Sequence, residues 1–354
     1  MPMATTYRIC VIPGDGIGQE VTPQAVRVLE AAASRHGFRL DLRTEPWGSA
    51  YYAEHGRMMP EDGHQTVAAA DATLFGAVGS PEVPDTVSAW GLILSIRQKL
   101  DLYVNLRPIR SYPGLGPRPA DAPPVELVIV RENTEGEYVG LGGRLFAGTE
   151  RETASHTSVF TRAGIDRIVD YAFRSVLAGG LLTSVTKSNA LPHTMGLWDD
   201  VAAEVAGRHP DVRWERMHVD AVAYQLVRAP ERFDVLVASN LFGDILSDLG
   251  AGLQGSLGLA ASGNLNPDTH VGIFEPIHGS APDIAFRGIA NPLGAINSAA
   301  LLLDFVGEAA AGEQVRSAVA DTLAAGAATA DLGGRCTTAE MGEEVVRRVS
   351  GGTP

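Results

Sequence analysis

An α/β fold with a mostly parallel sheet is predicted by three features of the chain. Short β-rich apolar runs alternate with longer amphipathic stretches, a glycine-rich turn joins the first such run to the first helix, and helical periodicity without strands dominates from Asn291 onward. Residues 7–12 read as a buried strand, and residues 20–35 as a helix with Val21, Ala25, Val28, Leu29 and Ala32 on one face. A strand over 72–75 and a helix over 92–100 follow. Further strands are predicted over 125–130, 181–186, 213–219 and 235–238, with helical periodicity over 162–177 and 195–206. The Pro/Gly stretch 113–124 reads as a surface loop, and the Gly-rich stretch 135–148 as a hairpin arm. Helices over 299–307, 317–325 and 340–349 close the chain.

Composition narrows the class. The chain has 354 residues, of which 45% are hydrophobic and 20% charged, which is too apolar for disorder and long enough for two domains or one enlarged α/β domain. A net charge of −14 argues against nucleic-acid and membrane partners. Cys10 and Cys336 are the only cysteines, so there is neither a disulfide framework nor a zinc pair. The N-terminus lacks a signal-peptide layout, and no apolar run reaches transmembrane length, so the expectation is a soluble cytoplasmic protein. Of 28 basic residues only Lys99 and Lys187 are lysines. Lysine, unlike arginine, can lose its proton at accessible cost.

Five segments could carry chemistry. Pro13-Gly14-Asp15-Gly16-Ile17-Gly18 lies between a strand and a helix, but its glycines are spaced G-x-G-x-G rather than as in a dinucleotide fingerprint. It suits either backbone approach to a ligand or a tight turn. In Ser239–Asp248, Asp244 and Asp248 are four apart and share a helical face, with no Lys or Arg between Arg232 and Arg287. Such a pair repels and would accept Mg²⁺ or Mn²⁺, or it could be two solvated acids. Arg97, Arg107 and Arg131 suit bidentate capture of carboxylates, or internal ion pairs. Arg131 also ends an apolar strand, where α/β proteins bind ligands. Lys187 ends the strand over 181–186 and suits a general base or a hydrated strand-end cation. Residues 275–291 contain Glu275-Pro276-Ile277-His278-Gly279-Ser280-Ala281-Pro282-Asp283, whose acids suit ribose hydroxyls or an ordinary capped loop.

Together these segments resemble the β-decarboxylating dehydrogenase family of isocitrate, 3-isopropylmalate, tartrate and D-malate dehydrogenases. The most specific are Arg131–Tyr138 (R-E-N-T-E-G-E-Y), Thr186–Asn189, Ser239–Asp248 and Glu275–Ile284, in the family's order along essentially the whole chain. The resemblance implies an isopropylmalate dehydrogenase-like fold. Two α/β domains would surround a mixed, mostly parallel sheet with a cleft between them, and a β arm would clasp a second subunit. It implies a cofactor domain of residues 1–102 plus 256–354, and a substrate, metal and dimerisation domain of residues 103–255. Arg97, Arg107 and Arg131 would grip substrate carboxylates, with Asn189, Ile93 and Leu94 beside them. Tyr138 would protonate the enol, and Lys187 would take the hydroxyl proton. Asp244 and Asp248 would hold Mg²⁺ or Mn²⁺ together with Asp220 of the neighbouring subunit, making a homodimer with shared sites. Glu275, His278, Gly279, Ser280, Ala281, Asp283 and Asn291 would bind NAD, with K⁺ a further candidate cation. The pair Asp283-Ile284 resembles the NAD-preferring version.

The expected substrate rests on finer resemblance. Val83-Pro84-Asp85 followed by Trp90-Gly91, Trp47-Gly48-Ser49 with Tyr51-Tyr52, and Gly56-Arg57-Met58-Met59-Pro60 resemble the tartrate/D-malate branch. The expected substrate is therefore a 2-hydroxy dicarboxylate, (R)-malate or tartrate. Ile93 and Leu94 are apolar enough to accept an alkyl group, so 3-isopropylmalate stays open. A metal-dependent lyase without redox chemistry would use the same acids and cations but has no need of residues 275–291. A non-catalytic anion-binding protein would be indifferent to exchanging Lys187 for arginine.

Overall fold

The first predicted strand and helix extend slightly beyond their apolar residues, to β1 (Thr6–Gly14) and α1 (Gly18–His36). All five residues of the predicted α1 face, from Val21 to Ala32, are fully buried. Gly37, in the left-handed region, ends the helix by donating its N–H to Ala33. The chain continues through β2 (Arg39–Thr44), α2 (Ser49–His55), α3 (Gly63–Ala69), β3 (Ala72–Ala77), α4 (Asp85–Gly91) and α5 (Ile93–Lys99). Next come β4 (Val104–Arg110), β5 (Glu126–Glu132), β6 (Gly142–Leu145), β7 (Thr153–His156), α6 (Arg162–Ser175), β8 (Leu181–Thr186), α7 (Thr194–Ala206), β9 (Arg213–His218), α8 (Val219–Arg228), β10 (Val235–Ala238) and α9 (Asn240–Gln254). The last part holds β11 (Ala261–Asn266), β12 (Val271–Pro276), α10 (Leu293–Phe305), α11 (Ala309–Ala324) and α12 (Thr338–Val349).

This computed structural model describes residues 4–117 and 121–351, so part of the predicted loop over 113–124 lies outside the described residues. The chain forms two units. One comprises Met1–Leu102, Arg110–Pro124 and Ala251–Pro354; the other comprises Tyr103–Ile109 and Val125–Gly250. In the first, strands run in the order β2-β1-β3-β12-β11. Its neighbours are parallel except for the antiparallel β11–β12 hairpin. Ile12, Phe75, Ile96, Leu102 and Ile273 belong to its core. In the second unit the order is β4-β5-β10-β8-β9, and β5, β10, β8 and β9 are mutually parallel. Trp198, Phe173, Ile129 and Leu236 are buried there, and the Trp198 indole N–H donates to Ser184 Oγ at 3.0 Å. The fold class is therefore α/β with a mixed, mostly parallel sheet. Among the described residues no helix is long and apolar enough to cross a membrane.

Several boundaries differ from the sequence reading, for local reasons. Helix α6 stops at Ser175 because Val176 turns to extended backbone (ψ 125°). The predicted strand over 213–219 ends at His218, and Val219 instead opens α8, with Asp220 in its first turn. The stretch 135–148 supplies β6, which pairs antiparallel with β7 in a separate exposed ribbon. Strands β2, β4, β7, β11 and β12 have no counterpart in the sequence reading.

Candidate active site

Two strands of the second unit and helix α9 bring four charged side chains together. Arg131 stands near the C-terminal end of β5 and Arg107 on β4, both buried. Opposite them runs α9, which begins one residue after β10. Gly243 lets this helix approach: a Cβ there would lie 2.7 Å from Arg131 Cβ and Cγ. A larger residue would therefore push the arginine stem away. Asp244 and Asp248 follow on the same helix, one turn apart.

The contacts are specific. Arg131 Nε and Nη2 donate to Asn240 Oδ1 at 3.0 and 2.7 Å, and Nη1 donates to Asp244. Arg107 Nε donates to Asn105 Oδ1 at 2.6 Å and Nη1 to Ser247 Oγ. Arg107 Nη1 also lies 3.2 Å from Asp244 Oδ1 and 3.9 Å from Asp248 Oδ1. The Tyr138 hydroxyl donates to Asp244 Oδ2 at 3.0 Å, and its ring lies 5.5 Å from the Arg131 guanidinium carbon. Burial, and then the neighbouring Asp244 carboxylate, raise Tyr138 above the ordinary phenol range, so the hydroxyl keeps its proton at neutral pH. Burial and the charge of Asp244 likewise raise Asp248 above the ordinary carboxylate range. Two carboxylates one helical turn apart, one of them with its ionisation opposed by the other, fit a hard divalent cation. Among the described residues no third acid, histidine or cysteine gathers with them, so Asp220 does not join them within one chain.

Asp220 instead pairs with Lys187. Lys187 follows β8, and its Nζ donates to Asp220 Oδ1 at 2.5 Å. That hydrogen bond holds the Asp220 carboxyl below the usual carboxylate range. Asn189 is exposed in the turn after Lys187.

The remaining candidates lie in the first unit. Arg97, on α5, is buried and donates to Glu275, whose Oε1 also accepts from Asn264 Nδ2 at 2.8 Å. The Nε of Arg97 is buried without a partner among the described residues. Ile93 is buried in the apolar core, and Leu94 packs against it. After β12, His278 has a buried Nε2 with no partner among the described residues, and burial lowers its imidazole below the ordinary histidine range. Gly279 and Asp283 are exposed, Ser280 is buried, and Ala281 takes a positive φ of 41°. Asn291 Oδ1 accepts from Leu293 N at 3.0 Å, and its Nδ2 donates to Asp331.

Sequence reasoning missed Asn240, Asn105 and Ser247, which orient the two arginines. A neutral side chain that holds a cation carries no charge signal. Asn240 also donates to the Glu135 carbonyl at 3.1 Å, joining α9 to the segment that bears Tyr138.

Comparison with known proteins shows the family. Residues 8–345 match the family model described as isocitrate/isopropylmalate dehydrogenase. The chain is 47% identical to the D-malate dehydrogenase (decarboxylating) of Escherichia coli strain K12, over 98% of this chain and 99% of that one. It is 46% identical to a tartrate dehydrogenase/decarboxylase of Pseudomonas putida, over 97% of each. Among solved structures, isocitrate dehydrogenase from Methylococcus capsulatus superposes with a TM-score of 0.89 at 39% identity, covering 97% of this chain and 99% of that one. The chain thus belongs to the isocitrate/isopropylmalate dehydrogenase family, the β-decarboxylating dehydrogenases.

Proposed function

We propose that this chain catalyses the NAD- and divalent-metal-dependent oxidative decarboxylation of (R)-malate to pyruvate and CO₂, and that it also oxidises tartrate. The observation that carries the reading is the group of Arg107, Arg131, Tyr138, Asp244 and Asp248. Two buried arginines suit a dicarboxylate, two crowded acids suit a cation, and one tyrosine with a raised pKa suits a proton donor. The names of the relatives in Escherichia coli and Pseudomonas putida support malate and tartrate as substrates.

The residues divide the work. Arg107 and Arg131 bind carboxylate oxygens through paired N–H groups. Asn240 and Asn105 hold those guanidinium groups without neutralising them. Asp244 and Asp248 would hold Mg²⁺ or Mn²⁺, and residues 275–291 would hold NAD. Bound there, NAD would supply a hydride acceptor, and the cation would supply acidification of the hydroxyl and stabilisation of the electron pair left by departing CO₂. Lys187 Nζ takes the hydroxyl proton, and Tyr138 Oη returns a proton to the enolate carbon.

The chain works as a homodimer in this reading, because Lys187 and Asp220 pair apart from Asp244 and Asp248. Exposed Tyr224 and Val227 on α8, Ile245 on α9, and Leu145 on β6 suit a second copy. Cytoplasmic location fits such a reaction.

The test is NADH formation with (R)-malate, (S)-malate, the tartrate isomers and 3-isopropylmalate, each with Mn²⁺ and with chelator. Turnover of (R)-malate that chelator abolishes and Mn²⁺ restores is the expected result. Activity that survives chelator would sink the metal role, and strong preference for 3-isopropylmalate would sink the substrate. CO₂ release without NADH would favour the lyase.

A further inference from the structure

The turn Pro13–Gly18 lies between β1 and α1, where phosphate-cradling loops are found. Here its close contacts are with the protein itself. The amides of Asp15 and Ile17 donate to the carbonyls of Ala77 and Ser280, each at 2.9 Å. A Cβ on Gly14 would run into the Ala77 carbonyl oxygen, and one on Gly16 into that of Ser280. The glycines thus admit the end of β3 and the Ser280 backbone at close range.

At the centre is a buried carboxylate that the proposed mechanism does not use. Asp15 Oδ1 accepts from Ser49 N at 2.7 Å, and Oδ2 accepts from Ser49 Oγ at 2.8 Å and Gly79 N at 2.9 Å. Among the described residues no cationic side chain pairs with it. Its charge is met by these three donors, and such charge-assisted bonds are strong and directional. One residue therefore fixes the loop ending at Gly79 and the start of α2 through its side chain. Two residues on, the Ile17 amide holds the Ser280 carbonyl.

We propose that Asp15 is a positioning residue for NAD: its carboxylate holds the Gly79 backbone, which lies against Ser280 of the proposed NAD loop (a Cβ on Gly79 would stand 3.4 Å from Ser280 Oγ). This rests on the reading of residues 275–291 as the NAD loop. Asp15→Asn keeps the shape but sets an amide N–H₂ against at least one of the three donors.

The test uses the full-length enzyme with NAD as the probe, by calorimetric titration and by steady-state kinetics. The expected result is a rise of about tenfold in Kd and KM for NAD. The KM for (R)-malate and kcat at saturating NAD should stay within about twofold of wild type. Ser49→Ala, which removes one donor of three, should raise Kd for NAD by a smaller factor, and it decides the matter if Asp15→Asn does not fold. NAD affinity unchanged in either soluble variant, even with a lowered Tm, would overturn the inference. So would equal losses in both KM values and kcat. A wild-type chain that binds no NAD would remove the cofactor reading, and this inference with it.

Discussion

Exchanging Lys187 for arginine separates charge from proton transfer. The Lys187 and Asp220 side chains are 29% and 67% exposed, so their ion pair is solvated and contributes little to folding. Arginine keeps the positive charge and can keep the pair, so Tm should not change. Arginine cannot lose its proton at working pH. Removal of a positioned general base costs about 10²–10⁴-fold in rate, about 1.4 kcal/mol of barrier per decade. The expected result is a kcat for (R)-malate lowered by that factor, with Mn²⁺ binding and Tm preserved. Stopped-flow measurement of NADH formation is the assay, because it isolates oxidation from product release. Wild-type kcat in a folded variant would refute the assignment of Lys187 as the base.

Other substitutions probe neighbouring steps. Asn240→Asp places a second carboxylate on Arg131 and removes the donor to the Glu135 carbonyl. The KM for (R)-malate should rise tenfold or more, at about 1–3 kcal/mol for the disrupted buried hydrogen bonds; an unchanged KM would exclude Arg131 as a carboxylate ligand. Gly250→Ala drives a Cβ into Ile109 Cδ1 and should lower stability by about 1–3 kcal/mol, measured by urea denaturation. Glu340 at the start of α12 accepts from the Thr337 backbone and hydroxyl, which holds its pKa below the ordinary value. Its stabilisation is therefore present above the ordinary glutamate pKa of about 4.3 and is lost as pH falls through the depressed value. Amide exchange in α12 should accelerate across that acidic range, and Glu340→Gln should remove this dependence.

The parts of the fold that were legible are those where burial and apolarity coincide. Strands β1, β3, β8 and β10 and the buried face of α1 are written in Val, Ile, Leu and Ala. Strand β11 was not legible because Ser262, Asn264 and Asn266 are buried polar residues, held by bonds to distant backbone or side chains. Strand β4 contains Pro108, which has no N–H for a ladder and argues locally against a strand. Strand β2 is mostly exposed and alternates charge with Leu, a weak signal over six residues. At the site, the acids of α9 and the arginines were visible by type and spacing. The amides and hydroxyls that aim them were not, because Asn and Ser at an element's start or within a strand read as caps and turns. The role of Pro13–Gly18 was ambiguous for a related reason: a sequence shows that glycine permits close approach, but not what approaches.

Asp244 is engaged by Arg107, Arg131 and Tyr138. If the proposed roles hold, a cation arriving alone would have to draw that carboxylate away from its guanidinium partners, and a dicarboxylate arriving alone would have to compete with it for them. With both present, the substrate carboxylates would take over the arginines that the cation displaces. The two affinities would then be heterotropically coupled: each ligand would lower the cost of seating the other, by the same factor in either order.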